Sequence, residues 1–288
     1  MPVPDIWITS KAIRESSSLV SAETLSQYKR PAPSEKGQPT ASGGNSGKIN
    51  AGSSNLNAQI TTLGFDADDT LWHHETYFQL TQERFAELLQ DHAPRDHLDE
   101  RLLAAERRNL GHYGFGVKGF VLSMIETALE VTNNAVPGEV ISELIAAGQE
   151  MLSHPIDLLP GVEETVHALA ETHTMLVITK GDLLDQERKI AQSGLGELFD
   201  GVEIVSNKTD AVYREVFARH GAGAERALMA GNSLKSDVMP ALEAGAWGVH
   251  VPHGLEWALE AADAPLDAPR FRTIGTLDAL PALIEQIS

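Results

Sequence analysis

From Ile60 to the C-terminus, short apolar β-prone runs alternate with amphipathic helical patterns, and this alternation leaves few folds open to the chain. The runs are Ile60 to Phe65, Met175 to Ile178, Gly201 to Val205, Ala227 to Ala230 and Gly248 to Val251. Helical periodicity fills the later gaps, at Leu184 to Gln192, Ala211 to His220 and Lys235 to Ala244. A strand joined to its neighbour through a helix runs parallel to it, and such helices cover both faces of the sheet. An α/β fold built on a parallel sheet follows.

The gap between the first two runs is too long for one crossover. From Thr76 to about His154, apolar residues recur at helical spacing: Phe78, Phe85, Leu88 and Leu89, then Val121, Ile125 and Leu129, then Val140, Leu144 and Ile145. Pro137-Gly138 and Pro155 mark breaks. This predicts an inserted helical unit over 76–155, set into a core made of 59–75 and 156–288. Leu255 and Trp257 read as part of a C-terminal helix covering the sheet.

The first part of the chain is different. From Pro31 to Ala58 it is mostly Pro, Gly, Ser and Asn, with Ile49 and Leu56 the large apolar side chains. Such a segment buries too little apolar surface to offset its ordering entropy, so residues 1–58 are expected to form a disordered tail. It has no apolar stretch of the secretory type, and its acidic residues argue against a transit peptide.

Composition narrows the chemistry. The 288 residues include no cysteine, which excludes disulfides, thiolate metal sites and a cysteine nucleophile and fits a cytoplasmic location. A formal net charge of −19 sets nucleic acid and anionic membrane aside as partners. No apolar run is long enough to span a bilayer.

The strongest chemical signal is Asp66-Ala-Asp68-Asp69-Thr70, directly after the first run. In open parallel sheets, ligands sit beyond the carboxyl ends of the strands, where these acids are placed. One carboxylate can attack an electrophilic centre while its neighbour exchanges a proton with the leaving group. Closely packed acids also call for a cation nearby.

On this motif the chain resembles the haloacid dehalogenase-like hydrolase superfamily, over Ile60 to the C-terminus. The resemblance implies a Rossmann-like parallel sheet with helices on both faces and an inserted helical cap. Asp66 would be the nucleophile that becomes an aspartyl-phosphate, Asp68 the general acid and then base, and Thr70 the closing residue of the motif. Thr179, after the second run, would hold phosphate oxygens together with the backbone amide of Lys180. Lys208, in Val205-Ser-Asn-Lys208, would neutralise Asp66 and the phosphoryl group. The fourth motif, Gly231-Asn232-Ser233 to Asp237, carries Asn where the superfamily usually has Asp. Magnesium would then be held by Asp66, the Asp68 carbonyl, and Asn232 or Asp237.

Within the inserted unit, Gly114, Gly116 and Gly119 spell a dinucleotide fingerprint. Helical sequence precedes them and no crossover unit follows, so a nucleotide-cofactor site is rejected. A glycine-rich loop facing the site fits better, with Lys118 meeting an anionic substrate. Trp72-His73-His74-Glu75 leads into the cap and offers substrate contacts or packing. The expected activity is magnesium-dependent hydrolysis of a small phosphorylated metabolite, by a monomer or homodimer. The alternatives are a non-catalytic ligand-binding protein on the same scaffold, suggested by Asn232, and carbon–halogen cleavage, which Asp68 opposes.

Overall fold

The computed structural model describes the backbone of residues 7–9 and the whole of residues 59–255 and 257–288. Its centre is a sheet of β1 (Trp7–Thr9), β2 (Thr62–Phe65), β3 (Thr174–Lys180), β4 (Gly201–Val205), β5 (Ala227–Gly231), β6 (Trp247–His250) and β7 (Phe271–Thr273). The spatial order is β1-β4-β3-β2-β5-β6-β7, parallel throughout except for β1, which runs antiparallel to β4. All the predicted runs are strands. The β1 and β7 edges were not foreseen: each is three residues long and too short to show a pattern. Apart from β1, which departs from a structureless tail, that expectation lies outside the described residues.

Central strands are buried on both faces, so they read as continuous apolar runs and not as alternating ones. On one face they meet α5 (Val162–Ala170) and α9 (Leu280–Ile287), through Val162, Val166, Leu280 and Ile284. On the other lie α7 (Asp210–His220) and α8 (Met239–Ala244), with Tyr213 and Phe217 against Ile178 and Met229. Gly64 of β2 keeps this second face close: a Cβ there would stand 3.0 Å from Met229 Sδ and 3.3 Å from Phe217 Cε1. α6 (Leu183–Gln192) connects β3 to β4.

Between β2 and α5 the chain inserts α1 (Glu75–Leu89), α2 (Arg95–Tyr113), α3 (Val117–Val131) and α4 (Gly138–Ser153). These have a core of their own, centred on Phe85, Leu89, Leu102, Phe120, Met124 and Leu144. The position of Trp257 corrects the sequence reading. Leu255 and Trp257 lie in irregular chain after β6, and the C-terminal helix is α9. Among the described residues, no helix is long and apolar enough to cross a membrane.

The sheet order creates the site. From β2 the chain moves outward through β3 and β4, then returns to the other side of β2 with β5 and continues through β6 and β7. The reversal falls between β2 and β5, where diverging loops open a crevice at the strand ends. Asp66 is fixed at its mouth by its amide, which donates to Ala230 O at 2.9 Å.

Candidate active site

The loop after β2 turns sharply. Asp69 adopts a left-handed conformation, φ +57°, and its carboxylate accepts from the amides of His74 (2.8 Å) and Glu75 (2.9 Å). A buried acid thereby caps α1, satisfying amides at the positive end of the helix dipole. Asp66 and Asp68, on either side of Ala67, both face the cavity enclosed between sheet and inserted helices.

Their surroundings differ. Lys208, beyond β4, donates to Asp66 Oδ1 and, at 2.6 Å, to Asp237 Oδ1. One ammonium thus serves two buried carboxylates. Burial and the charge of Asp237 push Asp66 up to about 7, against the pull of Lys208. Burial works against the charge of Lys208, but Asp237 and Asp66 outweigh it and hold its pKa above the usual lysine range. Asp66 Oδ2 is left with the Thr70 hydroxyl, 3.5 Å away.

Asp68 is held more completely. Lys189 Nζ donates to both its oxygens (2.7 and 2.9 Å), Trp72 Nε1 to Oδ1 (2.7 Å) and Gln186 Nε2 to Oδ2 (2.8 Å). Burial alone would raise its pKa, yet His74, Lys189 and Gln186 together bring it below the usual carboxylate range. His74, 3.4 Å from Asp68, is itself lowered to about 4 by burial.

The other predicted residues largely converge. Thr179, the last residue but one of β3, is buried and lines the cavity, with Lys180 next to it. The Lys180 side chain bridges Ser236 (2.7 Å) and Glu260 (2.8 Å) and lies 3.9 Å from the Phe115 ring centroid. Asn232 Oδ1 accepts from Thr70 Oγ1 at 3.4 Å. Both oxygens of Asp237 are engaged, by Lys208 and by the Ser233 amide at 2.9 Å, which makes it a holder of Lys208 in this arrangement. Gly231 is required beside it, since a Cβ there would stand 2.3 Å from Asp237 Oδ2. Lys118 is not brought to the cavity. It is half exposed and pairs with Asp182 at 3.3 Å, across the seam between α3 and the start of α6.

Sequence reasoning missed Lys189, Gln186, Glu260 and Glu106; Glu75, read as a substrate contact or a packing residue, lines the cavity. Asp182, Gln186 and Lys189 recur at helical spacing, but a polar stripe of this kind is usually a solvated face. Glu75 and Glu106 stand out electrostatically. Burial, with the charges of Asp69 and Glu106, pushes Glu75 up to about 8, and burial pushes Glu106 up to about 7.

Among the described residues, eight carboxylates and three lysines line the cavity, so it favours cations. Asp66 Oδ2 and Asn232 Oδ1 approach the same Thr70 hydroxyl, and this convergence of oxygens suits a hard cation such as magnesium.

The family model described as haloacid dehalogenase-like hydrolase matches residues 60–245. Among solved structures, a haloacid dehalogenase-like family hydrolase from Xanthomonas campestris is 39% identical, with a TM-score of 0.71, over 80% of this chain and 94% of that one. The HAD-hydrolase YfnB from Bacillus subtilis, bound to magnesium, is 16% identical (TM-score 0.57; 79% and 99% covered). An L-2-haloacid dehalogenase from Xanthobacter autotrophicus, with chloropropionic acid covalently bound, is 19% identical (TM-score 0.55; 80% and 100% covered). The last two likenesses concern the fold alone. Among curated proteins, no sequence matches the chain.

Proposed function

The chain belongs to the haloacid dehalogenase-like hydrolase family, and from that premise we propose that it is a magnesium-dependent phosphohydrolase acting on a small phosphorylated metabolite. The observation that carries this reading is the pair of carboxylates, Asp66 and Asp68, that face one cavity in unlike surroundings. Such a difference separates a nucleophile from a proton carrier. Asp66 attacks phosphorus, and the bond from phosphorus to the ester oxygen breaks as the aspartyl-phosphate forms. The leaving oxygen takes a proton from Asp68. In the second half-reaction Asp68, ionised again, accepts a proton from the water that releases phosphate.

The neighbours of Asp68 suit both halves. Lys189, Gln186 and Trp72 fix its direction and favour its carboxylate form, the base of the second step. An arriving phosphate dianion opposes that negative charge and raises its affinity for a proton, as the first step requires. Lys208 and Thr179 supply the donors at the phosphoryl oxygens.

Magnesium would be held by Asp66, the Asp68 carbonyl and Asn232, with Asp237 behind, and when bound it would withdraw charge from the phosphoryl oxygens. The excess of carboxylates in the cavity supports this cofactor, and the absence of cysteine supports a cytoplasmic setting.

Asp66→Asn is expected to abolish phosphate release from an aryl phosphate while circular dichroism stays that of the wild type. Retention of full activity would sink the mechanism. A second reading, a non-catalytic ligand-binding protein, is favoured by the uncharged Asn232. A magnesium titration separates them: no phosphate release from any ester at saturating metal supports binding alone.

A further inference from the structure

Beyond the phosphate end, the cavity has a second pole on the inserted helices. Glu75 and Gln82 reach it from α1, and Glu106 and Asn109 from α2. Asn109 is 5% exposed and lines the cavity, and its amide hydrogens go to Ser123 (3.1 Å) and Glu126 (2.9 Å), which leaves its Oδ1 without a donor. Gln82 gives its amide to Asp99 at 3.0 Å, which likewise leaves an oxygen free. The Ser123 hydroxyl, between Asn109 and the Gly119 carbonyl at 2.9 Å, has no proton to offer.

The charges point the same way. Glu75 and Glu106 lie within electrostatic reach of each other, and among the described residues no lysine, arginine or histidine pairs with either. Trp257 Nε1 donates to Glu106 at 3.4 Å, at the outer limit for such a bond. Both glutamates are half-buried, and carboxylates drawn out of water without a counter-ion are unfavourable, so a ligand that carries the counter-ion reduces the penalty.

Aromatic rings complete this pole. Phe78, Phe115, Phe120 and Trp257 line the cavity beside the acids. Phe115 and Trp257 meet edge to face with centroids 6.1 Å apart, and Phe78 lies 4.9 Å from Phe120. The Phe115 ring already receives one ammonium, that of Lys180, paired with Glu260. Ring and carboxylate acting together on a nitrogen cation is therefore chemistry this cavity already displays.

We propose that this pole is a subsite for an ammonium group on the leaving-group side of the substrate, bound between Glu75, Glu106 and the Asn109 carbonyl. The substrate class is then an aminoalkyl phosphate, its dianion at Asp66 and its cation under the cap. The inference rests on the phosphohydrolase reading for the phosphate end only. Neutral polyol phosphates offer donors but no charge, and they bind more weakly.

The test compares ω-aminoalkyl phosphates with ω-hydroxyalkyl phosphates of matched chain length, as kcat/KM for the wild-type protein with magnesium. A preference of at least about tenfold for the amine is expected. In Glu106→Gln, and separately in Glu75→Gln, that ratio falls toward one. Calorimetric binding of the free ω-amino alcohol and the matching diol to wild-type protein repeats the comparison without turnover or substitution. Equal values for amine and hydroxyl in the wild type overturn the subsite, as does a ratio that survives both substitutions in folded protein. If no ester is hydrolysed, the phosphohydrolase reading falls, and calorimetry alone decides the subsite: amine selectivity upholds it and its absence overturns it.

Discussion

At the scale of single residues, the cavity carries more negative charge than its lysines neutralise, and titration should reveal it. Glu106 moves from an ordinary 4.5 to about 7, and Glu75 from 4.5 to about 8, both mainly through burial. A raised acid binds its proton more tightly in the folded than in the unfolded state. Its contribution to stability is therefore lost as pH rises from about 4.5 toward the folded value. Without ligand or metal, the protein should melt at a lower temperature at pH about 8.5 than at about 6, and Glu106→Gln should reduce that fall by on the order of 1 kcal/mol. Thermal unfolding of both proteins at the two pH values checks this. An unchanged fall in Glu106→Gln would mean that Glu106 titrates as it does in the unfolded chain. Asp66, Asp68 and Thr70 were legible at this scale because they follow a strand directly, whereas Lys208 and Asn232 were read only through the family resemblance. Glu75 stood out only as part of the segment leading into the cap, and nothing in the local sequence marked Glu106, since a glutamate in the middle of a helix is ordinary.

At the scale of elements, α6 does more than connect two strands. It starts after Gly181, whose φ of +134° turns the chain out of β3, and presents Gln186 and Lys189 to Asp68 within two turns. Lys189→Met would leave Asp68 a buried carboxylate without its ammonium. kcat on an aryl phosphate is expected to fall about 10- to 100-fold with KM within about threefold, and Lys189→Arg should recover part of the loss. Steady-state kinetics of the two variants decide it. If both constants keep their wild-type values, Lys189 does not position Asp68. The elements themselves were readable wherever a strand was central or a helix long. The stretch predicted as one helix from Lys235 instead begins as a wide π-helical turn, Leu234–Val238, before α8. This turn presents Ser236 to Lys180 and Glu260 and places Asp237 against Lys208. Apolar periodicity cannot distinguish such a turn from a regular helix.

At the scale of the whole molecule, among the described residues every one that lines the cavity lies after position 59. The described residues before it, β1, form an antiparallel edge strand beside β4, away from the crevice between β2 and β5. Removal of residues 1–58 should therefore keep kcat/KM within about twofold of the full chain. Kinetics of the shortened protein test this, and a loss of more than about tenfold would give that segment a part in the site. Local order could be read from the chain because neighbouring residues enforce it on one another: strands against helices, the inserted helical unit, and the acids at a strand end. The partners of those acids came from the folded arrangement. Lys189 meets Asp68 across 121 residues, Lys208 meets Asp66 across 142, and Trp257 reaches Glu106 across 151. Periodicity describes which side of an element is apolar, whereas charge pairing depends on distances between elements, and those are set when the sheet order and the cap bring remote segments together.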